Sequence, residues 1–256
     1  MRTVILAGGL GTRLMEETET RPKPMVEIGG RPLLWHILSH YGRHGFTEFV
    51  LALGYKGEVV KRFFTEYADL GGSLSVDLAP GRVTRHAQPP ENWTVHLIDT
   101  GQDTNTGGRV KRVAEWVSDG PFFLTYGDGV SDVDLAELLR FHRSTGRIAT
   151  VTAVRPPARF GGLVFDGDLV AEFTEKPQTG EGWINGGFFV FEPSMLEYVD
   201  GDDTSLEHDV LTRLAADGQL AAYRHDRFWQ CMDTLRDLRL LESLWEEGKA
   251  PWLPPR

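Results

Sequence analysis

The sequence predicts an α/β fold, a mixed and mostly parallel sheet flanked by helices, and three observations carry that prediction. Apolar runs of strand length alternate with stretches of helical period through the first half of the chain, the pattern of a sheet covered on both faces. The first run, Val4-Ile5-Leu6-Ala7, passes straight into the glycine-rich turn Gly8-Gly9-Leu10-Gly11-Thr12-Arg13, and in open α/β sheets such strand-end loops carry function. A chain of 256 residues, 41% hydrophobic and 25% charged, also has enough apolar matter to close one large core.

The elements follow in order. Pro32 opens a helix whose Leu33, Leu34, Ile37, Leu38 and Tyr41 form one stripe, ended by Gly42 and Gly45. Residues 46–53 read as a strand, and 56–70 repeat the helical period through Val59, Val60, Phe63, Phe64 and Tyr67. Between Gly71 and Gly101 that period disappears. Short β-like runs at 73–78 and 93–98 flank Pro80-Gly81 and Pro89-Pro90, so 71–101 is read as an insertion. Residues 121–126 form a buried strand ending at Gly127-Asp128-Gly129. Residues 1–146 are thus the nucleotide-binding part of one domain spanning 1–256, and 147–256 are expected to form a smaller β-rich lobe with C-terminal helices. In that second part Phe165-Asp166-Gly167-Asp168 is a hairpin signal. Thr204-Ser-Leu-Glu207 has capping-box spacing for a helix reaching Gly218, and a last helix is expected over 234–247.

Bulk charge narrows the function. A formal charge of −10 and a pI near 5.3 leave no basic surplus to displace counterions from a polyanion, so no nucleic-acid partner is expected. One cysteine, Cys231, rules out an internal disulfide. The amino terminus runs directly into a strand, with no leader and no membrane-length apolar stretch, so a cytoplasmic protein without a membrane partner is expected.

The glycine turn frees backbone amides beside the Arg13 guanidinium, a combination that holds phosphate. It fits neither common nucleotide fingerprint: Thr-Arg-Leu follows Gly11 where a third glycine would stand, and no lysine completes a P-loop. Lys23, between Pro22 and Pro24, is expected in an extended segment near the turn. Two fixed cations suit phosphoryl or nucleotidyl transfer, which is chiefly positioning and charge neutralisation. Asp128 at a strand end and Asp233 after an apolar stretch are candidate ligands of Mg²⁺, a hard cation that takes oxygen donors. Each residue also has a structural reading: a tight turn, a solvated lysine, a turn aspartate, and a helix cap before Thr234. His36, His40 and His44 recur at helical spacing but lack the Glu of a His-Glu-x-x-His motif.

Segments spread over nearly the whole chain resemble the sugar-1-phosphate nucleotidyltransferases. They include Ala7-Gly-Gly-Leu-Gly-Thr-Arg13, Pro22-Lys-Pro-Met25, Asp99-Thr-Gly101, Thr125-Tyr-Gly-Asp-Gly129 and Glu175-Lys-Pro177. Leu53-Gly-Tyr-Lys-Gly57, Thr106-Gly-Gly-Arg109 and Ile184-Asn-Gly-Gly-Phe188 are similar to the cytidylyltransferase branch that acts on glucose 1-phosphate. The resemblance implies a Rossmann-like fold with a sugar-binding lobe, CTP and glucose 1-phosphate as partners, Mg²⁺ as cofactor, and a homo-oligomer, a hexamer. It implies further that Arg13 and Lys23 bind phosphates and stabilise developing charge, with Asp128 and Asp233 on the metal. Gly8, Gly9, Leu10, Gly11, Thr12, Asp99, Gly108 and Arg109 would frame the nucleotide. Lys176 would hold the sugar phosphate, and Tyr126, Gly161, Glu175 and Asn185 would line the hexose. The alternatives are a uridylyl- or thymidylyltransferase, an enzyme for another sugar 1-phosphate, and a non-catalytic sensor of such ligands.

Overall fold

Seven strands form the central sheet of the computed structural model, which describes residues 1–9, 18, 20–86, 89–156, 162–166, 169–174 and 182–253. In chain order they are β1 (Thr3–Ala7), β2 (Glu48–Leu53), β3 (Thr94–Asp99), β4 (Phe122–Tyr126), β5 (Ala149–Val154), β6 (Ile184–Phe191) and β7 (Leu220–His225). Their spatial order is β7-β5-β6-β4-β1-β2-β3. β1 is parallel to both β2 and β4, β2 to β3, and β5 to β7. β6 alone runs antiparallel, between β4 and β5.

Both faces of β1 are buried, which is why its sequence is apolar without alternation. Ile5 and Ala7 pack with Leu34 and Ile37 of α1 (Leu33–Arg43). Val4 and Leu6 face the other way, toward Val110 of α3 (Thr106–Arg112) and Val210. Full burial of each such aliphatic side chain stabilises the fold by roughly 1.5–3 kcal/mol. α1 joins β1 to β2, and α2 (Gly57–Leu70) joins β2 toward β3.

Two boundaries differ from the sequence reading. The region 71–101 is not an insertion throughout, because β3 pairs in register with β2 from Glu48↔Thr94 to Leu53↔Asp99. What stands apart from the sheet is the hairpin of Leu74–Asp77 with Arg82–Arg85. An edge strand is covered incompletely, and β3 is mostly half-buried, so its short run resembles a hairpin strand. Likewise the strands β5, β6 and β7 of residues 147–256 extend the same sheet, with Phe188↔Thr125 to Phe191↔Phe122 pairing β6 directly to β4. The hairpin signal at 165–168 joins two strands, Gly162–Asp166 and Leu169–Thr174, in a sheet of their own.

Helix caps decide the remaining ends. Ser205, one residue beyond the expected Thr204, accepts a bond from His208 N, while Asp209 accepts one from Ser205 N at 2.7 Å. The following Leu206–Leu211 is a π-helical turn that continues into α5 (Thr212–Ala216), α4 being Leu135–Thr145. α6 (Leu235–Glu246) starts from a full capping box between Thr234 and Asp237, so Thr234 and not Asp233 is the cap. Among the described residues no helix is long and apolar enough to cross a membrane.

Candidate active site

A cleft of about 710 Å³ opens where β1 and β4 end, bounded by Gly8, Gly9, Lys23, Asp128 and Asp233, and on the far side by residues 102–106. It lies at the carboxyl ends of parallel strands, where the fold class puts ligands.

Lys23 begins a single 3₁₀ turn, Lys23–Met25, rather than lying in an extended segment. Pro24 fits the second position of that turn because no N–H is needed there, and Met25 N closes it onto Pro22 O at 2.8 Å. The turn docks on the end of β4: a Cβ at Gly127 would stand 2.8 Å from Pro24 Cγ. Asp128 and Asp233 are brought together by a short antiparallel ladder, Gly129–Ser131 against Trp229–Cys231, extended by a bond from Met232 N to Asp128 O at 2.8 Å. The Lys23 ammonium then lies 2.8 Å from Asp128 Oδ2 and 2.5 Å from Asp233 Oδ1. Burial pulls the Lys23 pKa down, but the two carboxylates outweigh it and the net direction is upward.

Arg109 forms the back of the cleft and is only 5% exposed. Its Nη1 donates to Leu53 O, Thr100 Oγ1 and Gly101 O, and its Nη2 donates to Gly8 O and Gln102 O, at 2.7–3.2 Å. The guanidinium therefore ties the ends of β1, β2 and β3 together. Gly8 and Gly54 must be glycine for this, since a Cβ at either would come within 2.5 Å of the guanidinium. Burial lowers the Arg109 pKa without neutralising so strong a base.

Tyr126 borders both the cleft and an adjoining recess of about 130 Å³ that includes Asn185, Asp128 and Trp229. Asn185 Nδ2 lies 3.4 Å from the Tyr126 hydroxyl, and its Oδ1 accepts from Gly187 N at 2.8 Å. Trp229 Nε1 donates to Gly186 O at 2.7 Å, which holds the start of β6 against the acid-bearing ladder.

The structure thus brings together Gly8, Gly9, Lys23, Arg109, Tyr126, Asp128 and Asp233 around one cleft, with Asn185 in the adjoining recess. Leu10, Gly11, Thr12, Arg13, Gly161, Glu175 and Lys176 lie outside the described residues. Two expected nucleotide residues do not border the cleft. Asp99 accepts from Gly101 N and shapes the turn after β3. Gly108 is needed for packing, because a Cβ there would meet Asp202 backbone atoms at 2.5 Å. Sequence reasoning missed Gln102, Asp103, Thr104, Asn105 and Asp203 as wall residues; the position of 102–105 directly after a parallel strand was the available signal. Cys231 Sγ lies 3.6 Å from Asp233 Oδ2, and burial with the nearby acids pushes the thiol up to about 12, so it is no nucleophile. His36 serves the core: Nε2 bonds Ile28 O, and Nδ1 accepts from Trp252 Nε1.

A strand-end cleft of a mostly parallel sheet, with Gly8 and Gly9 after the first strand, a lysine on a 3₁₀ turn and two carboxylates joined by a short antiparallel ladder, has the make-up of an α/β enzyme that handles phosphorylated ligands. The chain belongs to the nucleotidyl transferase family, whose model matches residues 2–247. It is 51% identical over 253 residues to glucose-1-phosphate cytidylyltransferase of Salmonella typhi, with 98% of each chain covered. The corresponding protein of Salmonella typhimurium matches equally, at 51% over 98% of both. Among solved structures, HddC from Yersinia pseudotuberculosis superposes with a TM-score of 0.70 at 24% identity, covering 95% of this chain and 99% of that one. At that identity the likeness speaks for the fold alone.

Proposed function

We propose that the protein transfers a cytidylyl group from CTP to α-D-glucose 1-phosphate, giving CDP-glucose and pyrophosphate. The observation that carries this reading is the 51% identity over 98% of both chains to the Salmonella typhi enzyme. The geometry is consistent in kind: a cleft of about 710 Å³ with a cation between two acids and a buried arginine behind the glycine turn.

In the reaction a phosphate oxygen of the sugar phosphate forms a bond to the α-phosphorus of CTP while the bond to the pyrophosphate oxygen breaks. The nucleophile is already an anion, so no general base is needed. The protein's task is to overcome repulsion between anions and to align them. Lys23 supplies an ammonium at the cleft, held between Asp128 and Asp233, and Arg13 supplies a second cation on the glycine turn. Gly8 and Gly9 offer close backbone approach. Lys176 holds the sugar phosphate, with Tyr126, Asn185, Glu175 and Gly161 along the hexose.

The donor set fits Mg²⁺. Asp128 and Asp233 aim hard oxygen atoms at a single cationic position, held here by the Lys23 ammonium. Magnesium binds through one or two carboxylates and completes its shell with water and phosphate oxygens. When bound, it neutralises charge on the phosphates that the acids alone would repel. The same reading assigns a cytoplasmic homo-oligomer, a hexamer, supplying CDP-hexose to deoxysugar or polysaccharide synthesis.

Incubating the protein with Mg²⁺, glucose 1-phosphate and each nucleoside triphosphate in turn, and recording pyrophosphate, tests the reading. CTP should be preferred. Preference for UTP or dTTP would overturn the cytidylyl assignment while leaving the transferase.

A further inference from the structure

Glu207, which the sequence offered only as the acid of a capping box, does not fill that role, and three hydroxyl groups converge on its carboxylate. The Tyr126 hydroxyl donates to Oε1 at 2.5 Å, and Thr106 and Ser205 donate to Oε2 at 2.7 and 3.0 Å. Thr106 Oγ1 in turn accepts from Leu206 N at 2.8 Å, which closes the ring. The carboxylate is carried by a π-helical turn, Leu206–Leu211, a local widening that occurs frequently at functional sites. Burial of Glu207 works against its charge, but the hydroxyl bonds win and hold its pKa below the usual value.

An ionised carboxylate only accepts, whereas a phenol owns one proton. The proton of Tyr126 is therefore spent on Glu207. What the phenolic oxygen has left is lone-pair capacity, reached among the described residues only by the long 3.4 Å bond from Asn185 Nδ2, and Tyr126 borders both the cleft and the recess. A lone pair cannot bind a phosphate oxygen, but it can receive the hydrogen of an alcohol.

We propose that Glu207 is a positioning residue that claims the Tyr126 proton and so makes the phenolic oxygen an acceptor for one hydroxyl of the sugar 1-phosphate. The inference rests on the cytidylyltransferase reading and deepens it: the sugar must present a hydroxyl donor at one particular carbon. The same carboxylate anchors the start of α3 through Thr106, so the sugar side and the nucleotide wall share one fixed point.

Glucose 1-phosphate and its 2-, 3-, 4- and 6-deoxyfluoro analogues separate donor from acceptor roles, because carbon-bound fluorine donates nothing. Wild-type protein should lose roughly ten- to a hundredfold in kcat/KM with the analogue fluorinated at one carbon, the worth of one good hydrogen bond. In Glu207→Gln, whose amide can donate to the phenol and release its proton outward, that loss should shrink to within about threefold, chiefly through KM for the sugar phosphate. Tyr126→Phe, which keeps the ring volume, should shrink it equally and carries the test if Glu207→Gln does not fold. A purely structural role for Glu207 would lower the melting temperature and leave discrimination among analogues unchanged. A wild type that turns over glucose 1-phosphate without singling out any carbon, or variants that discriminate as the wild type does, would overturn the inference alone. A wild type that turns over no sugar 1-phosphate would overturn the functional reading with it.

Discussion

The Lys23 ammonium lies 2.5 Å from Asp233 Oδ1 although 210 residues separate the two in sequence. The lysine also reaches Asp128, so the two acids share one counter-ion.

Asp128→Asn and Asp233→Asn should each lower kcat by roughly a thousandfold, the scale of losing charge stabilisation on a transferring phosphate. Both variants should remain folded, since an amide keeps the shape of the carboxylate and the ladder at Gly129–Ser131 is made by backbone atoms. Treatment with EDTA should abolish turnover of the wild type, and added Mg²⁺ should restore it. Near wild-type rates in both variants would remove the two acids from the reaction.

Arg109→Met should destabilise the fold and loosen the glycine turn together. It takes a donor from the carbonyls of Gly101 and Gln102, and one of several from Leu53 O and Gly8 O, which keep Thr100 and Tyr55 N respectively, a cost of roughly 2–4 kcal/mol after water replaces part of the loss. For a chain of this size that corresponds to a fall in melting temperature of roughly 5–15 °C. Calorimetry would test it; an unchanged melting point would mean that the arginine contributes only charge.

Gly187→Ala should damage the sugar side of the site selectively. Gly187 has φ +78°, and a Cβ there would stand 2.6 Å from Tyr126 Cδ2. The backbone penalty is roughly 1–2 kcal/mol, and a displaced Tyr126 should raise KM for glucose 1-phosphate by roughly ten- to a hundredfold. KM for CTP should move far less. Steady-state kinetics with each substrate varied in turn distinguishes the two.

Stability should fall in mild acid. Burial pushes the His36 pKa from 6.5 to about 4, while the unfolded chain keeps the ordinary value. Between those limits the unfolded state binds a proton that the folded state refuses, so stability is complete above pH 6.5 and declines as the pH drops toward about 4. The share from His36 is roughly 3 kcal/mol, and buried His40 adds in the same direction. His36→Gln keeps a donor for Ile28 O and an acceptor for Trp252 and should flatten part of the slope. Urea denaturation of both proteins at pH 7 and pH 5 measures it; identical slopes would refute the role of His36.

Much of the fold was legible because its signals are local. The apolar run of β1 must be buried on both faces, and the stripe of α1 on one, and each pattern is contained in a few consecutive residues. The Thr234 to Asp237 capping box is likewise a property of four neighbours. β3 was misplaced because an edge strand, half-covered, shows a weaker pattern than a central one. The site was legible in part. Lys23, Asp128 and Asp233 could be nominated from their local settings, between prolines, at a strand end and after an apolar stretch. Glu207 could not, since it gains its meaning only from Tyr126 and Thr106, 81 and 101 residues away.

Composition, periodicity and turn chemistry were enough to expect most of the strands and helices of the sheet, and a glycine-rich turn after the first strand as a candidate phosphate site. Those are short-range preferences of the backbone and of apolar side chains. Which distant groups share a proton or a charge depended on how the sheet ordered its strands, placing β6 between β4 and β5 and laying Gly129–Ser131 along Trp229–Cys231. Hydrogen bonds and ion pairs act over about 3 Å, a range that linear spacing does not specify and packing does.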